Sequence, residues 1–587
     1  MKHTGVCKAG AGTAVIDGEL GHVAYCVTSL FPGGPGSIAI GKPEGLVVLL
    51  AGRLDHRGRV AARLNLDPVD HDDASLALQG YLHWGDEWTD HIFGTVAAII
   101  VDTARRRLLA CRDELGRVPL YFFSRGSTLL LASAPDMLLG HPRVAADRDT
   151  VWLSGFFGGL SVPADRSAFA EIKPLLPGER LIWTAQDGIQ LRWGRFRLGQ
   201  QAYRFRREED YGEAFRERLS AAIVDRTRDI QRLGIMLSGG MDSCPVACLA
   251  AKHFRETGQA LTAYSWSFDT FPQADETQEI MACANLAGIP SRRFRADDPL
   301  PFADPLDAPV DLNTPITNAF WRLFRGIYRL AAEDDCQVLL QGTFGDRLYP
   351  KDWQLADAIS DGEFKLALKE YRYAFSQHSW RVFRSSRLLR NCLKRFTGVR
   401  RSPRHRAPAW LTPWAVARLP GLSAEPRVAH PRPDHYQALV GPSVFDSQVG
   451  HQVDASRFGV YRLDPFHDWD LIDFMLGIPA YQTCRLGQTK WLAREGMRDR
   501  MPEALRTRRR GGVLSTFYQA GFNRSRGEIR EFLSRPDCTW SAYVKSEVLL
   551  PGLHEVTTHE PMRLLAQKAL GYELWNRRVN ELVRLKA

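Results

Sequence analysis

Paired cysteines are missing from this chain. Its ten cysteines are scattered and no C-x-x-C occurs, which removes the zinc-ribbon and dithiol-redox readings. Cys244 and Cys248, four apart in a helical pattern, read as small apolar packing residues. Long apolar runs are missing as well. Val96–Val101 has the length of a buried strand, far below the ~20 residues of a bilayer-spanning helix. Lys2 and His3 are followed by no apolar stretch, so no secretory signal is read and the cytoplasm is the expected compartment. Biased composition is the third absence: 44% hydrophobic and 25% charged residues exclude a disordered or fibrous chain.

What is present is length and positive charge. A chain of 587 residues exceeds one hydrophobic core, so two or more domains are expected. The net charge of +10 favours anionic partners. Arg381–Arg406 holds many arginines and no acid, with only Phe383 and Phe396 to stack on bases. That stretch reads as a solvated helix and linker, and nucleic acid is not the expected partner.

Residues 46–193 are strand-rich. Leu46–Gly52, Gly94–Asp102, Arg107–Asp113 and Thr128–Ser133 read as strands, and Ala74–Leu82 as a helix. The charged stretch Gln200–Asp210 reads as a linker. Beyond Tyr211 strands alternate with helices. Leu233–Leu237, Leu261–Phe268 and Val338–Gly342 are strands, with helices at Pro245–His253, Glu276–Ala287 and Phe320–Ala332. Such alternation predicts a parallel sheet covered by helices. After Tyr349 the pattern is mostly helical.

The strongest chemical signal is Leu237-Ser238-Gly239-Gly240-Met241-Asp242-Ser243, between a strand and a helix. Its glycines let the backbone approach an anion, its serines donate, and the helix N-terminus attracts phosphate. The lysine of a Walker A loop is absent. Asp242 repels phosphate unless a cation lies between, which makes it a candidate Mg²⁺ ligand. Gln341-Gly342-Thr343-Phe344-Gly345-Asp346 follows another strand, and Asp346 is placed to share that metal.

The pair S-G-G-M-D-S and G-x-x-G-D resembles the asparagine synthetase superfamily, which includes asparagine synthetase, β-lactam synthetase and the lasso peptide macrolactam cyclases. Tyr81–Gly85, Ala110–Phe123, Leu129–Leu139 and Leu175–Leu181 resemble its glutamine-amidotransferase-like half. Asp464–Asp468, Thr489–Arg494, Met501-Pro502 and Arg508–Arg510 resemble landmarks of its synthetase half. The resemblance implies an α+β, Ntn-type sandwich over residues 1–205. It implies an α/β ATP-pyrophosphatase domain, of the adenine nucleotide α hydrolase-like kind with helical additions, over 206–587.

Three departures bear on function. Glutamine-dependent members use an N-terminal cysteine, whereas this chain begins Met1-Lys2-His3 and first offers Cys7. The substrate loop reads Ala51-Gly52-Arg53-Leu54-Asp55-His56, without the family's two asparagines, and Thr95 stands where an aspartate is expected. Ammonia production is therefore expected to be lost. The stretch Ala407–Pro413 after the basic insert resembles the lasso cyclases.

The resemblance then implies ATP and Mg²⁺ as cofactors and a precursor peptide as substrate. A leader peptidase and a leader-binding protein are possible partners, and no membrane is involved. The peptide's Asp or Glu carboxylate is adenylated and its N-terminal amine closes a macrolactam. Leu237, Ser238, Gly239, Gly240, Asp242, Ser243, Phe268, Gln341 and Gly342 are expected around the nucleotide. Asp242 and Asp346 are expected on the metal. Thr343 stands where relatives carry a Glu or Tyr base, and threonine is a poor base. Arg510 and Lys490 compete for the role of catalytic cation. Asp275-Glu276 reads as the usual acids of a helix N-terminus. A small-molecule amide ligase of the β-lactam or asparagine synthetase kind is the alternative, and an RNA-modifying enzyme with the same loop is the alternative of another class.

Overall fold

The computed structural model describes the backbone of residues 12–18, 21–27 and 36–41. It then describes residues 45–587 except 161, 163, 229, 351, 377–386, 398–406, 420–429, 441–451, 453, 486, 509–510, 555–559 and 587. Cys7, Arg510 and most of Arg381–Arg406 lie outside the described residues.

The N-terminal half carries strands β1 (Gly12–Gly18), β2 (Gly21–Val27), β3 (Gly36–Gly41), β4 (Leu46–Leu54), β5 (Gly94–Asp102), β6 (Arg107–Arg112), β7 (Tyr121–Arg125), β8 (Thr128–Ala132), β9 (Lys173–Pro174), β10 (Glu179–Thr184) and β11 (Gly188–Trp193). They form two sheets, ordered β1-β2-β8-β7-β9 and β11-β10-β6-β5-β4-β3. β5 is buried along its whole length because both of its faces are used. Val96, Ala98 and Ile100 pack under the helix Asp73–Trp84, through Ala74, Leu78 and Tyr81. Ala97, Ile99 and Val101 pack between the sheets against Phe122, Leu129 and Leu131. Side chains alternate along a strand, so a continuous apolar run is the mark of this two-sided burial. Asp72 opens the helix by accepting from Ser75 N–H at 2.7 Å. The helix Thr150–Gly158 covers the other sheet, packing with Phe123, Leu130, Tyr543 and Trp575. The layers run helix, sheet, sheet, helix, which is the expected sandwich.

The C-terminal half is built on five parallel strands: β12 (Arg232–Met236), β13 (Ala260–Ser267), β14 (Ser291–Arg295), β15 (Val338–Leu340) and β16 (Tyr461–Leu463). Their order is β14-β13-β12-β15-β16. Leu233, Ile235, Leu261, Ala263, Val338 and Leu340 face the helices Glu208–Arg226, Ser243–Thr257 and Thr277–Ala287. Tyr264 and Leu339 face Ile327 and Tyr328 of the helix Trp321–Glu333. Successive strands step one way from β12 to β14, then resume on the other side at β15. The crevice between β12 and β15 is therefore the topological switch point, where ligands of open α/β sheets bind. No described helix is long and apolar enough to cross a membrane.

The stretch expected as a linker is more ordered than that reading. The helix already begins at Glu208, and its first turn is acidic (Glu208, Glu209, Asp210), as the helix dipole favours. Just before it, Asp473 accepts from Gly199 N–H and from Tyr203 Oη, each at 2.7 Å.

The last turn of that helix joins the two halves. Arg226, 2% exposed, donates to Asp55 Oδ2 at 2.5 Å and to the His467 carbonyl at 2.8 Å. His56 N–H donates to Asp225 at 3.0 Å, and the His56 ring lies 3.2 Å from Asp468. Burial opposes a charge on His56, but contact with Asp468 and the fields of Asp470 and Asp55 lift its pKa to about 9. Burial pushes the Asp55 carboxyl up to about 6, while Arg226 holds it down. Removing one member of a buried pair strands the other, at about 3–5 kcal/mol. Arg226→Ala is expected to lower stability by that order, and Arg226→Met with Asp55→Leu to recover most of it, read by chemical denaturation. Equal loss in the single and double variants would refute the pairing.

Candidate active site

The loop Ser238–Asp242 leaves the end of β12, and Gln341–Asp346 leaves the end of β15 next to it. Parallel register pairs Leu233 with Val338 and Ile235 with Leu340, so the two loops emerge side by side. They touch closely. A Cβ on Gly342 would sit 2.6 Å from the Asp242 carbonyl carbon, and one on Gly345 would sit 2.4 Å from Asp242 Oδ1. Both glycines of G-x-x-G are thus required by the seating of Asp242 against the second loop. Gly239 has φ +68, in the left-handed region that favours glycine.

Three side chains meet at this junction. Lys490 Nζ lies 2.5 Å from Asp242 Oδ2 and 2.8 Å from Asp346 Oδ1. Burial raises the Asp242 carboxyl to about 6 even though the Lys490 ammonium pulls it down. Burial works against the charge on Lys490, yet Asp242 and Asp346 raise its pKa overall. Asp242 Oδ1 is buried without a hydrogen-bond partner. Two carboxylates, one with a spare oxygen, fit Mg²⁺, which takes one or two carboxylates and completes its shell with phosphate and water.

A cavity of about 240 Å³ opens over the junction, lined by Gly239, Gly240, Met241, Asp242 and Asp346, and by Lys490, Arg494 and Arg508. Arg508 is held over it by Glu276 at 2.9 Å and Glu279 at 3.4 Å. Glu276 also accepts from Gly512 N–H at 2.7 Å. Three cations beside a glycine-lined loop suit the phosphate end of a nucleotide.

The predicted residues divide. Gly239, Gly240, Asp242, Asp346 and Lys490 line the cavity. Ser238 and Ser243 stand at its back, their hydroxyl oxygens 3.1 Å apart. Leu237 is buried, its carbonyl accepting from Ser265 Oγ at 2.7 Å. Gly342 is the seat for Asp242. Phe268 and Gln341 do not line this cavity. The Phe268 ring packs on Phe517 with centroids 5.0 Å apart, and the Gln341 side-chain oxygen Oε1 accepts from Arg462 Nε at 3.0 Å and from Thr343 Oγ1 at 3.2 Å. Thr343 is exposed and does not line the cavity. Asp275 accepts from Phe268 N–H at 3.0 Å and from Thr277 Oγ1 at 2.8 Å, while Glu276 faces the arginine. The acidic pair is therefore more than a helix N-terminus. Arg494 and Arg508 were legible only as parts of landmarks, and Glu279 gave no sequence signal. Cys244 is buried, and Cys248 packs 3.8 Å from Cys283, as packing residues do.

Residues 214–577, more than half of the chain, match the profile of the family described as Asparagine synthase. The chain belongs to the asparagine synthase family. Residues 64–193 match the Glutamine amidotransferase domain. Among curated relatives, asparagine synthetase [glutamine-hydrolyzing] 3 of Bacillus subtilis is 29% identical over 34% of this chain and 32% of its own length. Amidase chry2 of Gibberella zeae is 26% identical over 48% of this chain and 43% of its own. The chain thus spans less than half the length of these relatives. A B. subtilis glutamine phosphoribosylpyrophosphate amidotransferase structure shares 12% identity at a TM-score of 0.19, covering 44% of this chain and 63% of that one.

Lys490 lies between the two carboxylates, so a divalent cation bound there would compete with it. Lys490→Gln is expected to tighten nucleotide-free Mg²⁺ binding by about tenfold, the effect of removing a nearby unit charge. Thermal shift against Mg²⁺ concentration measures it, and an unchanged midpoint curve would count against the competition.

Proposed function

We propose that this asparagine synthase family member is an ATP-dependent, AMP-forming amide ligase. It activates a carboxylate as the acyl-adenylate and passes it to an amine. The observation that carries this reading is the convergence of Asp242 and Asp346 on one cation beside the glycine loop. When bound there, Mg²⁺ would neutralise the phosphates and act as a Lewis acid. Ser238, Ser243 and the backbone of Gly239 and Gly240 would hold the phosphate end. Lys490 and Arg508 would screen the meeting of carboxylate and phosphate, then hold pyrophosphate as it leaves.

The finer reading concerns the amine. Arg53 donates to the Asp225 carbonyl at 3.4 Å, and Asp55 and His56 are paired with Arg226 and Asp468. Side chains at the substrate loop of an amidotransferase are here spent on a joint between halves. This supports an amine carried by the substrate rather than ammonia from glutamine. A peptide whose carboxylate and N-terminal amine close a lasso-type macrolactam meets that requirement, and tethering both ends supplies effective molarity. A precursor peptide, with a peptidase to free its amine, is the partner set this reading proposes. An asparagine synthetase-like or β-lactam-type reaction on a small substrate is the second reading, favoured by the relatives in the family.

The test supplies ATP, Mg²⁺ and hydroxylamine with free aspartate or with a peptide bearing a side-chain carboxylate. AMP and pyrophosphate are expected, and ADP would overturn the adenylation. Asp242→Asn and Asp346→Asn are each expected to lower kcat/KM by about a hundredfold or more. Loss of one water from a peptide with a free N-terminus, by mass spectrometry, separates the macrolactam from the small-substrate reading.

A further inference from the structure

A second, larger cavity of about 1150 Å³ adjoins the first and shares Asp346 and Tyr349 with it. One wall is Arg347, the residue after Asp346. The other is the helix Arg387–Thr397, which contains no acid and places Arg387, Arg390 and Lys394 three and four residues apart on one face.

The charges in this cavity do not balance. Lys394 is paired with Asp434 at 2.5 Å, and Asp346 is taken by Lys490. Arg347, Arg387 and Arg390 have no ion pair and no side-chain hydrogen bond among the described residues. Three guanidinium groups facing one cavity repel each other until an anion enters. Their planar forks suit carboxylates and phosphates alike. Two observations choose between these. The aromatic lining residues Trp353 and Tyr349 are only 2% and 4% exposed, so they offer no face for a base to stack on. The cavity is also continuous with the junction where a carboxylate is to be activated. Its size exceeds the ~300–1,000 Å³ typical of small-molecule sites.

We propose that this cavity binds the acidic segment of the carboxylate substrate, a peptide with more than one carboxylate. Arg347, Arg387 and Arg390 hold the remote carboxylates while the reacting one faces the phosphate cavity. This assignment rests on the ligase reading and names the class of its substrate.

Fluorescence anisotropy of labelled hexaglutamate and hexaglutamine peptides tests it on the full chain. Hexaglutamate is expected to bind more tightly. Arg387→Glu with Arg390→Glu, both exposed, is expected to weaken it by about tenfold or more, as attraction becomes repulsion. Arg192→Glu with Arg206→Glu, the same change of net charge outside the cavity, is expected to leave binding intact. Equal binding of the two peptides, an indifferent cavity variant, or tighter binding of single-stranded RNA to the same site overturns the assignment. ATP binding in Mg²⁺, read on the same proteins, keeps the two ideas apart. Its absence with hexaglutamate binding preserved sinks the ligase reading and leaves the acidic-ligand site standing.

Discussion

Asp242 has to satisfy two neighbours at once. Its backbone and side chain press against Gly342 and Gly345 of the adjacent loop, while its carboxylate reaches Lys490. That seating depends on the parallel pairing of β12 with β15, since a shift of register would carry one loop past the other. The pairing depends in turn on the two apolar faces of the sheet, Leu233 and Ile235 toward one set of helices and Leu339 toward another. Core packing thus fixes the separation of Asp242 and Asp346. For the proposed Mg²⁺ site that separation matters, because Mg²⁺ demands near-ideal octahedral geometry of its oxygen ligands.

The joint between the halves follows a different logic. Arg226 is buried with Asp55, and the desolvation cost of such a pair offsets most of its attraction. It therefore adds little to stability compared with an apolar contact of the same size. What it would add is specificity of docking, since a placement that keeps only one of the two groups buried leaves that charge unpaired. Arg228 strengthens the same choice by donating to the Leu54 carbonyl at 3.0 Å and to Asp73 at 3.1 Å. The contacts of Arg226 with Asp55 and of Arg228 with the Leu54 carbonyl converge on residues 53–56, the stretch in which the sequence departs from the family's substrate-loop pattern.

Much of the fold was legible because its strands are buried on both faces. β5 and β8 were readable to within a residue as apolar runs, and β12, β13 and β15 as strands between helices. β14, Ser-Arg-Arg-Phe-Arg, was not readable, because an edge strand has one free side and no need of an apolar sequence. β16 is three residues long and pairs with β15 across more than a hundred residues, a distance at which local pattern carries nothing. The two loops of the site were legible from glycine, serine and aspartate in fixed spacing. The orientations of Phe268 and Gln341 were not, since a buried aromatic ring and a buried amide obey whichever partner lies nearest, here Phe517 and Arg462. Glu276 and Glu279 escaped for the same reason: only folding brings Arg508 to them.

Lys490 gives the junction of Asp242 and Asp346 a cation of its own. Without it two carboxylates would face each other in a partly buried site, an arrangement that favours protonation of one of them. An ammonium prevents this with a single mobile charge on a flexible stem, whereas a guanidinium would fill the space that a metal and a phosphate must later enter. Lys490 stands at φ 59 immediately before the helix Trp491–Gly496, a backbone conformation that costs a non-glycine residue about 1 kcal/mol or more. The contacts to Asp242 and Asp346 offset that cost. Under the proposed function, a metal-bound nucleotide held at this junction would give the same ammonium phosphate oxygens in place of those contacts. The lysine would then keep a partner with or without nucleotide, and the junction would not present two bare carboxylates to the carboxylate of the proposed substrate.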